Sequence, residues 1–249
     1  MPETTRVPVE RPAPVEKGKP VGRRVVLGML GLGALGVVAG SRLQDFEQNV
    51  IAPLQNRDPT GLSDLLPAGG GFRFYSITDS EPNKNAETFR LDVGGLVDRP
   101  MTLTLADLLA MKQTGLVKDF QCVTGWRVPQ VHWSGVLLSD LLTEVGVKPT
   151  AQALTFTSFD GEYTDSLSLD QARRPDVLVA THMLGEPVTR AHGGPVRLYV
   201  APMYGYKSVK WLGGISLVPK VVPGFWEQNG YDVDGWVGRS NGRDDAATS

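Results

Sequence analysis

The sequence predicts an α+β domain made mostly of short strands with a few short helices, and three observations carry that prediction. Short apolar runs, alternating or continuous, recur between residues 72 and 218, which is the periodicity of strands. The 249 residues include 29 Gly and 18 Pro, so turns are frequent and long helices have little room. Within this stretch, helical spacing is confined to two short segments, near residues 105–111 and 139–145, the mixture expected of an α+β domain.

From the N-terminus, residues 1–22 are rich in Pro, Glu, Lys and Arg and read as a disordered tail. Arg23-Arg24-Val25-Val26-Leu27 then leads into apolar and Gly residues as far as Gly40, the pattern of a twin-arginine export signal. The 16 residues from Val25 to Gly40 fall short of the roughly 20 that span a bilayer. An uncleaved anchor over residues 25–40 is the alternative. Either way the chain is expected outside the cytoplasm, periplasmic or extracytoplasmic. Gly31, Gly33 and Gly36 match a dinucleotide fingerprint, but no strand precedes them, so a nicotinamide or flavin site is rejected. Residues 41–70 read as a connector with a short amphipathic helix, and residues 71–249 as a single catalytic domain.

In that domain, Phe89 to Val93 alternates as a half-buried strand does, and residues 94–100 form a turn with a short strand. Thr104 can cap a helix from Leu105 to Met111, with Asp107 in its first turn. Asp119 to Val123 reads as a strand running into a loop. Ser139 to Val145 is a second helix, with Leu138, Leu141 and Leu142 on one face. Leu154 to Phe159, Val177 to Ala180, Pro195 to Val200 and Gly214 to Val218 are further strands.

Charge and cysteine content narrow the function. The net charge is -2, and residues 1–40 hold six basic side chains against three acidic ones, so the remainder is more acidic than the whole. Such a body is a poor general nucleic-acid binder; a small molecule or another protein is the expected partner. The single cysteine, Cys122, cannot form an intramolecular disulfide. Its surroundings, Phe120 to Arg127, place a soft thiolate ligand beside a turn-forming Gly125 and a permanent cation, Arg127. A buried, inert thiol with Arg127 on the surface is the plainer reading of those residues alone.

Two more clusters carry basic chemistry. His192-Gly193-Gly194-Pro195-Val196-Arg197 joins a tight loop to an arginine fork that suits phosphate. Lys207-Ser208-Val209-Lys210-Trp211 sets two lysines about a serine among aromatic neighbours, as an enclosed anion site would.

These clusters, in this order, carry a resemblance. Phe120 to Leu141, with its Cys-Val-Thr-Gly-Trp centre and Trp133-Ser134-Gly135-Val136, is similar to the molybdenum-binding segment of the sulfite oxidase family. Ser158-Phe159-Asp160-Gly161 with Tyr163 resembles that family's next active-site stretch. His192 to Arg197 and Lys207 to Trp211 resemble its pterin-binding half. The match runs over roughly residues 72–236. The short form with paired arginines looks closest to the bacterial periplasmic branch, which includes the methionine sulfoxide reductase catalytic subunit.

The resemblance implies a sulfite-oxidase-type molybdopterin-binding domain with molybdenum and molybdopterin as cofactors. It implies Cys122 as the metal ligand, and His192, Arg197, Ser208, Val209 and Lys210 holding the pterin and its phosphate. Ser158 would touch the pterin, Phe74 and Tyr75 would close the pocket, and Tyr163 would be the tyrosine beside the reacting centre. The implied reaction is a two-electron oxygen-atom transfer on a small substrate such as a sulfoxide, sulfite or similar oxyanion. Electrons would pass to or from a membrane or soluble redox partner, a haem protein among the candidates. In full sulfite oxidases two adjacent arginines follow the cysteine, whereas here Trp126 precedes Arg127, which counts against a strongly cationic sulfite pocket.

Other readings compete. A zinc or copper electron-transfer site would draw on Cys122, His132, His182 and His192, yet no tight ligand pair occurs among them. A cofactor-free extracellular binding module would leave the basic clusters without a purpose. A Cys–His hydrolase would pair Cys122 with His192, but no acidic orienter stands out.

Overall fold

Strand alternation and tight turns lay down two five-stranded sheets. The protein is described here by a computed structural model, which covers residues 72, 77 and 81–248. The tail, export signal and connector expected over residues 1–70 lie outside the described residues, as do Phe74 and Tyr75.

The first sheet has the order β2-β1-β10-β5-β6, formed by β1 (Leu91–Gly95), β2 (Met101–Leu103), β5 (Ala153–Ser158), β6 (Thr164–Ser168) and β10 (Leu212–Val218). Only its β1–β10 pairing is parallel. The second sheet runs β3-β4-β7-β8, from β3 (Thr114–Gln121), β4 (Arg127–Leu137), β7 (Val177–Met183) and β8 (Glu186–Pro187), and β9 (Arg197–Val200) also pairs with β7. Four short helices accompany the sheets: α1 (Leu105–Ala110), α2 (Leu138–Val145), α3 (Leu169–Ala172) and α4 (Phe225–Gln228). Mostly strands with few short helices, this is the α+β class that the periodicity predicted.

Period-two alternation in the second sheet supports two cores. Val177, Val179, Leu198 and Val200 face the main core, with Leu141 and Leu142 of α2 and the apolar side chains of the first sheet. Leu178, Ala180 and Tyr199 face a second, aromatic cluster with Phe120, Trp126 and Trp133. A strand apolar on both faces reads as one continuous run, which is why Val177 to Ala180 was legible in the sequence.

Differences from expectation lie at the edges of elements and in polar strands. Thr104 caps α1 as expected: its hydroxyl accepts from Asp107 N at 3.1 Å, and Asp107 Oδ2 accepts from Thr104 N at 2.8 Å. The short strand expected within residues 94–100 instead falls at β2, beyond Pro100. The strand expected to run through Val123 stops at Gln121, because the chain reverses at Cys122. The 11-residue β4 went unread; Pro129 and Gly135 interrupt its pattern. Gly135 is required there, since a Cβ would sit 2.2 Å from Val179 O across the sheet.

The α2 face is packed against the main core, with Leu141 fully buried. Leu141→Ala is expected to cost about 2–5 kcal/mol, read as a drop in the denaturant midpoint with an unchanged slope.

Candidate functional site

Cys122 sits at the turn of the β3–β4 hairpin. Cys122 N donates to Trp126 O at 2.9 Å, and Gly125 N returns to Cys122 O at 3.0 Å. Gly125 has φ 103, a conformation open to glycine and costly for other residues. The thiol is half-buried and lies 3.2 Å from the Thr124 hydroxyl.

Arg127 closes the base of this hairpin rather than facing a ligand. Its Nε donates to Asp119 Oδ2 at 2.6 Å, and its Nη2 donates to Ala247 O at 2.9 Å. The other Asp119 oxygen accepts from Gln130 N at 2.9 Å, and the Asp119 carbonyl accepts from the Tyr199 hydroxyl at 2.8 Å. The cation read as available to an oxyanion is therefore committed to the frame.

The basic loops meet the hairpin through Arg197. Its guanidinium, at the start of β9, is almost wholly buried. Nη1 donates to His192 O at 2.7 Å and Nη2 to Ser208 O at 3.1 Å. Its faces lie 5.4 Å from the Phe120 ring and 5.5 Å from the Trp133 ring. The fork expected to take phosphate is spent on backbone carbonyls, so one side chain binds both basic loops to the strand that carries Cys122. Phe72 adds a second link, its ring 4.8 Å from His192 and 5.5 Å from Phe120.

The loops also pair with each other. Leu198 N donates to Val209 O at 2.8 Å, Trp211 N to Gly193 O at 2.8 Å, and Phe159 N to Trp211 O at 2.7 Å. Gly193 lies so close to Lys210 that a Cβ would come within 2.5 Å of the lysine Cβ. The Ser208 hydroxyl accepts from Val200 N at 3.0 Å, and Val209 is fully buried. Ser158 is tied into its own turn, accepting from Tyr163 N at 3.0 Å and donating to Asp160. The structure thus brings residues 192–197, 208–211 and 158–159 together.

Two more of the residues singled out in the sequence have partners within the fold. Lys207, read with Lys210 as part of an anion site, is fully buried and paired with Asp165 and Glu227. Tyr163, read as the tyrosine beside the reacting centre, donates its hydroxyl to Tyr206 O at 2.6 Å. Burial first, then the charges of Asp165 and Glu227, hold that phenol well above its usual range. Tyr231 packs against the same Tyr204, Tyr206 and Val237 cluster as Val123, the neighbour of Cys122. Burial raises its phenol, and the charge of Cys122 raises it further. Its ring stacks on Trp226 at 5.2 Å and meets Tyr206 edge-on at 5.4 Å. Nothing periodic or motif-like marks Tyr231 in the sequence.

A family model, the oxidoreductase molybdopterin binding domain, matches residues 79–226. The chain belongs to that family.

The uncharacterized oxidoreductase YuiH of Bacillus subtilis is 39% identical over 147 residues, covering 59% of this chain and 74% of its own. The protein-methionine-sulfoxide reductase catalytic subunit MsrP of Xanthomonas axonopodis is 29% identical over 234 residues, with 82% and 72% covered. Among solved structures, the sulfane dehydrogenase SoxCD of Paracoccus pantotrophus superposes with a TM-score of 0.55 at 26% identity, over 59% of this chain and 42% of that one. The fold is of the sulfite oxidase type, and the chain is a molybdopterin-dependent oxidoreductase.

The residues present fit that cofactor. His192 is pushed down to about 4 by burial, then by the charges of Arg197 and Lys210. Lys210 is lowered to about 7, by burial and then by Arg197, with Glu81 acting in the opposite direction. A lysine whose protonated form is disfavoured by burial and by a neighbouring guanidinium is the kind of group that a phosphate would stabilise. Among the described residues no three His, Cys, Asp or Glu side chains gather as a metal site. A metal held by Cys122 could take its other ligands from a group such as a pterin dithiolene.

A bound phosphate stabilises the protonated Lys210 and lifts its pKa above about 7. Binding by the cofactor-free chain should then take up a proton above neutrality and weaken as pH rises from 7 to 9. Calorimetry with inorganic phosphate, in buffers of different ionisation enthalpy, measures that uptake. Proton-neutral binding at pH 8 would remove Lys210 from the phosphate site.

Proposed function

We propose that this chain is an exported enzyme that carries molybdenum on its pterin, with Cys122 as the protein ligand. It moves an oxygen atom, with two electrons, to or from a small sulfur substrate. One observation carries this reading: the only thiol in the chain stands half-buried at a hairpin whose base packs on Arg197, the residue that holds both basic loops.

When bound, the cofactor supplies the two-electron redox centre. The chain's own residues do the rest. The hairpin turn at Gly125 presents the thiol, and the Thr124 hydroxyl orients it. Lys210 would meet the charge of the cofactor's phosphate, and the loop at His192 to Arg197, braced by the Arg197 hydrogen bonds, would hold the pterin beside it. Tyr231, its phenol kept protonated and its ring packed in the cluster that also takes Val123 next to Cys122, would be the proton donor.

Arg127 bears on substrate choice. Its charge is already neutralised by Asp119, so it offers little attraction to a dianion such as sulfite. A neutral sulfoxide is favoured, in keeping with the similarity to a protein-methionine-sulfoxide reductase catalytic subunit. Relatives named as subunits support a separate redox partner, membrane-bound or soluble. Arg23-Arg24 and the apolar run after them support export.

Elemental analysis of the purified protein should find molybdenum at about one atom per chain, and its absence alongside retained pterin would overturn the metal assignment. Cys122→Ser should keep the fold and the pterin yet lower turnover of methionine sulfoxide to background. Tyr231→Phe, which keeps the ring stack and removes the proton, should lower kcat on the order of 100-fold with the metal content unchanged.

A further inference from the structure

A buried ammonium and two carboxylates join three separate elements next to the site. Lys207 closes the turn Gly205–Lys207 immediately before Ser208. Its Nζ pairs with Asp165 of β6 and with Glu227 of α4, the latter at 2.6 Å, and donates to Val233 O at 3.0 Å. The three protons of the ammonium are thereby used. Asp165 Oδ1 also accepts from its neighbour Ser166 N at 2.6 Å. The other oxygen of each carboxylate, Asp165 Oδ2 and Glu227 Oε2, is buried with no hydrogen-bond partner.

Two carboxylates on one ammonium leave a net negative charge where water does not reach, and such a charge is held at low cost only as a protonated acid. The unmatched oxygens are where a proton would sit. The groups facing Asp165 are Lys207 from the turn, Glu227 from α4, and the phenols of Tyr163 and Tyr206. The Tyr163 hydroxyl donates to Tyr206 O and lies within reach of Asp165, and the Tyr206 hydroxyl donates to Asp232 O; both phenols are neutral, so neither supplies the missing positive charge. In line with this, Asp165 is raised to about 7, by burial first, with Lys207 opposing and Glu227 adding to the rise.

The triad's position gives it a consequence. Lys207 leads directly into Ser208-Val209-Lys210, and Glu227 lies four residues before Tyr231. Glu227 neighbours Trp226, on which Tyr231 stacks. We propose that Asp165, Lys207 and Glu227 form a one-proton lock: with one proton on its carboxyls, the triad fixes the basic turn and the Tyr231 segment, which packs on the same cluster as Val123 next to Cys122, and losing that proton loosens both. Asp165, Lys207 and Glu227 are positioning residues; none of them touches the reacting atoms.

Because the Asp165 carboxyl is weaker in the folded chain than in the unfolded one, its contribution to folded-state stability is greatest at low pH. It declines as pH rises from about 4 to about 7 and levels off above. Glu227→Gln keeps the shape and leaves a neutral Lys–Asp pair, and Asp165→Asn does the same from the other side.

The test uses the full-length, cofactor-free chain and compares iodoacetamide labelling of Cys122, its only thiol, between wild type and each variant at the same pH. Near-ultraviolet circular dichroism follows the aromatic side chains in parallel. The wild-type and variant rates should agree at pH 6, and at pH 8.5 the wild type should label at least about threefold faster, as a locally opened segment does. The wild-type aromatic signal should change with a midpoint near 7 that both variants lack. Equal labelling at both pH values would overturn the lock. So would variants less stable than wild type at pH 8.5, or an aromatic transition that persists without either carboxylate. None of these readouts requires turnover, so their failure is separable from failure of the oxygen-transfer reading.

Discussion

A guanidinium buried between two aromatic faces holds this site together. The charge of Arg197 is satisfied by backbone carbonyls of two loops and by the rings of Phe120 and Trp133. Burial lowers its pKa to about 10, so it stays charged at neutral pH while paying a desolvation cost. That cost is offset by hydrogen bonds to charged donors and by cation–π contact, both stronger away from water. The geometric result is that loops around residues 192 and 208 take their positions from the strand leading to Cys122.

The cations near the site divide into two kinds. Arg127, Lys207 and Arg197 are committed to Asp119, to the Asp165–Glu227 pair and to backbone carbonyls respectively. They brace the frame. His192 and Lys210 carry lowered pKa values because burial and like charges disfavour their protonated forms, and an anion relieves that penalty. Pairing and burial, not residue type, set which basic side chains brace the frame and which carry a lowered pKa.

Much of the architecture was legible. Val177 to Ala180 was readable because both faces of β7 are covered, α1 because Thr104 and Asp107 form a complete capping box. The strand β6 was not, because Thr164-Asp165-Ser166-Leu167-Ser168 is polar and becomes buried only through the ion pair of Asp165. The strand β4 was hidden by Pro129 and Gly135, which its bulged pairing accommodates. In the site, Cys122, His192 and the Ser208-Val209-Lys210 run stood out because they lie in compact motifs. Tyr231 did not, being a lone aromatic in a loop that reaches Cys122 only after the chain folds back.

By itself the sequence determined the family, the fold class and the loops from which the site is built, because these rest on local spacing: a thiol beside a glycine turn, a Gly-Gly-Pro loop before an arginine, a lysine-flanked serine. Only the tertiary structure decided which charges are paired with buried carboxylates and which tyrosine joins the aromatic cluster next to the thiol's loop. Those outcomes depend on desolvation and on contacts between residues far apart in the chain, such as Lys207 with Asp165 or Arg127 with Ala247, and no local pattern encodes them.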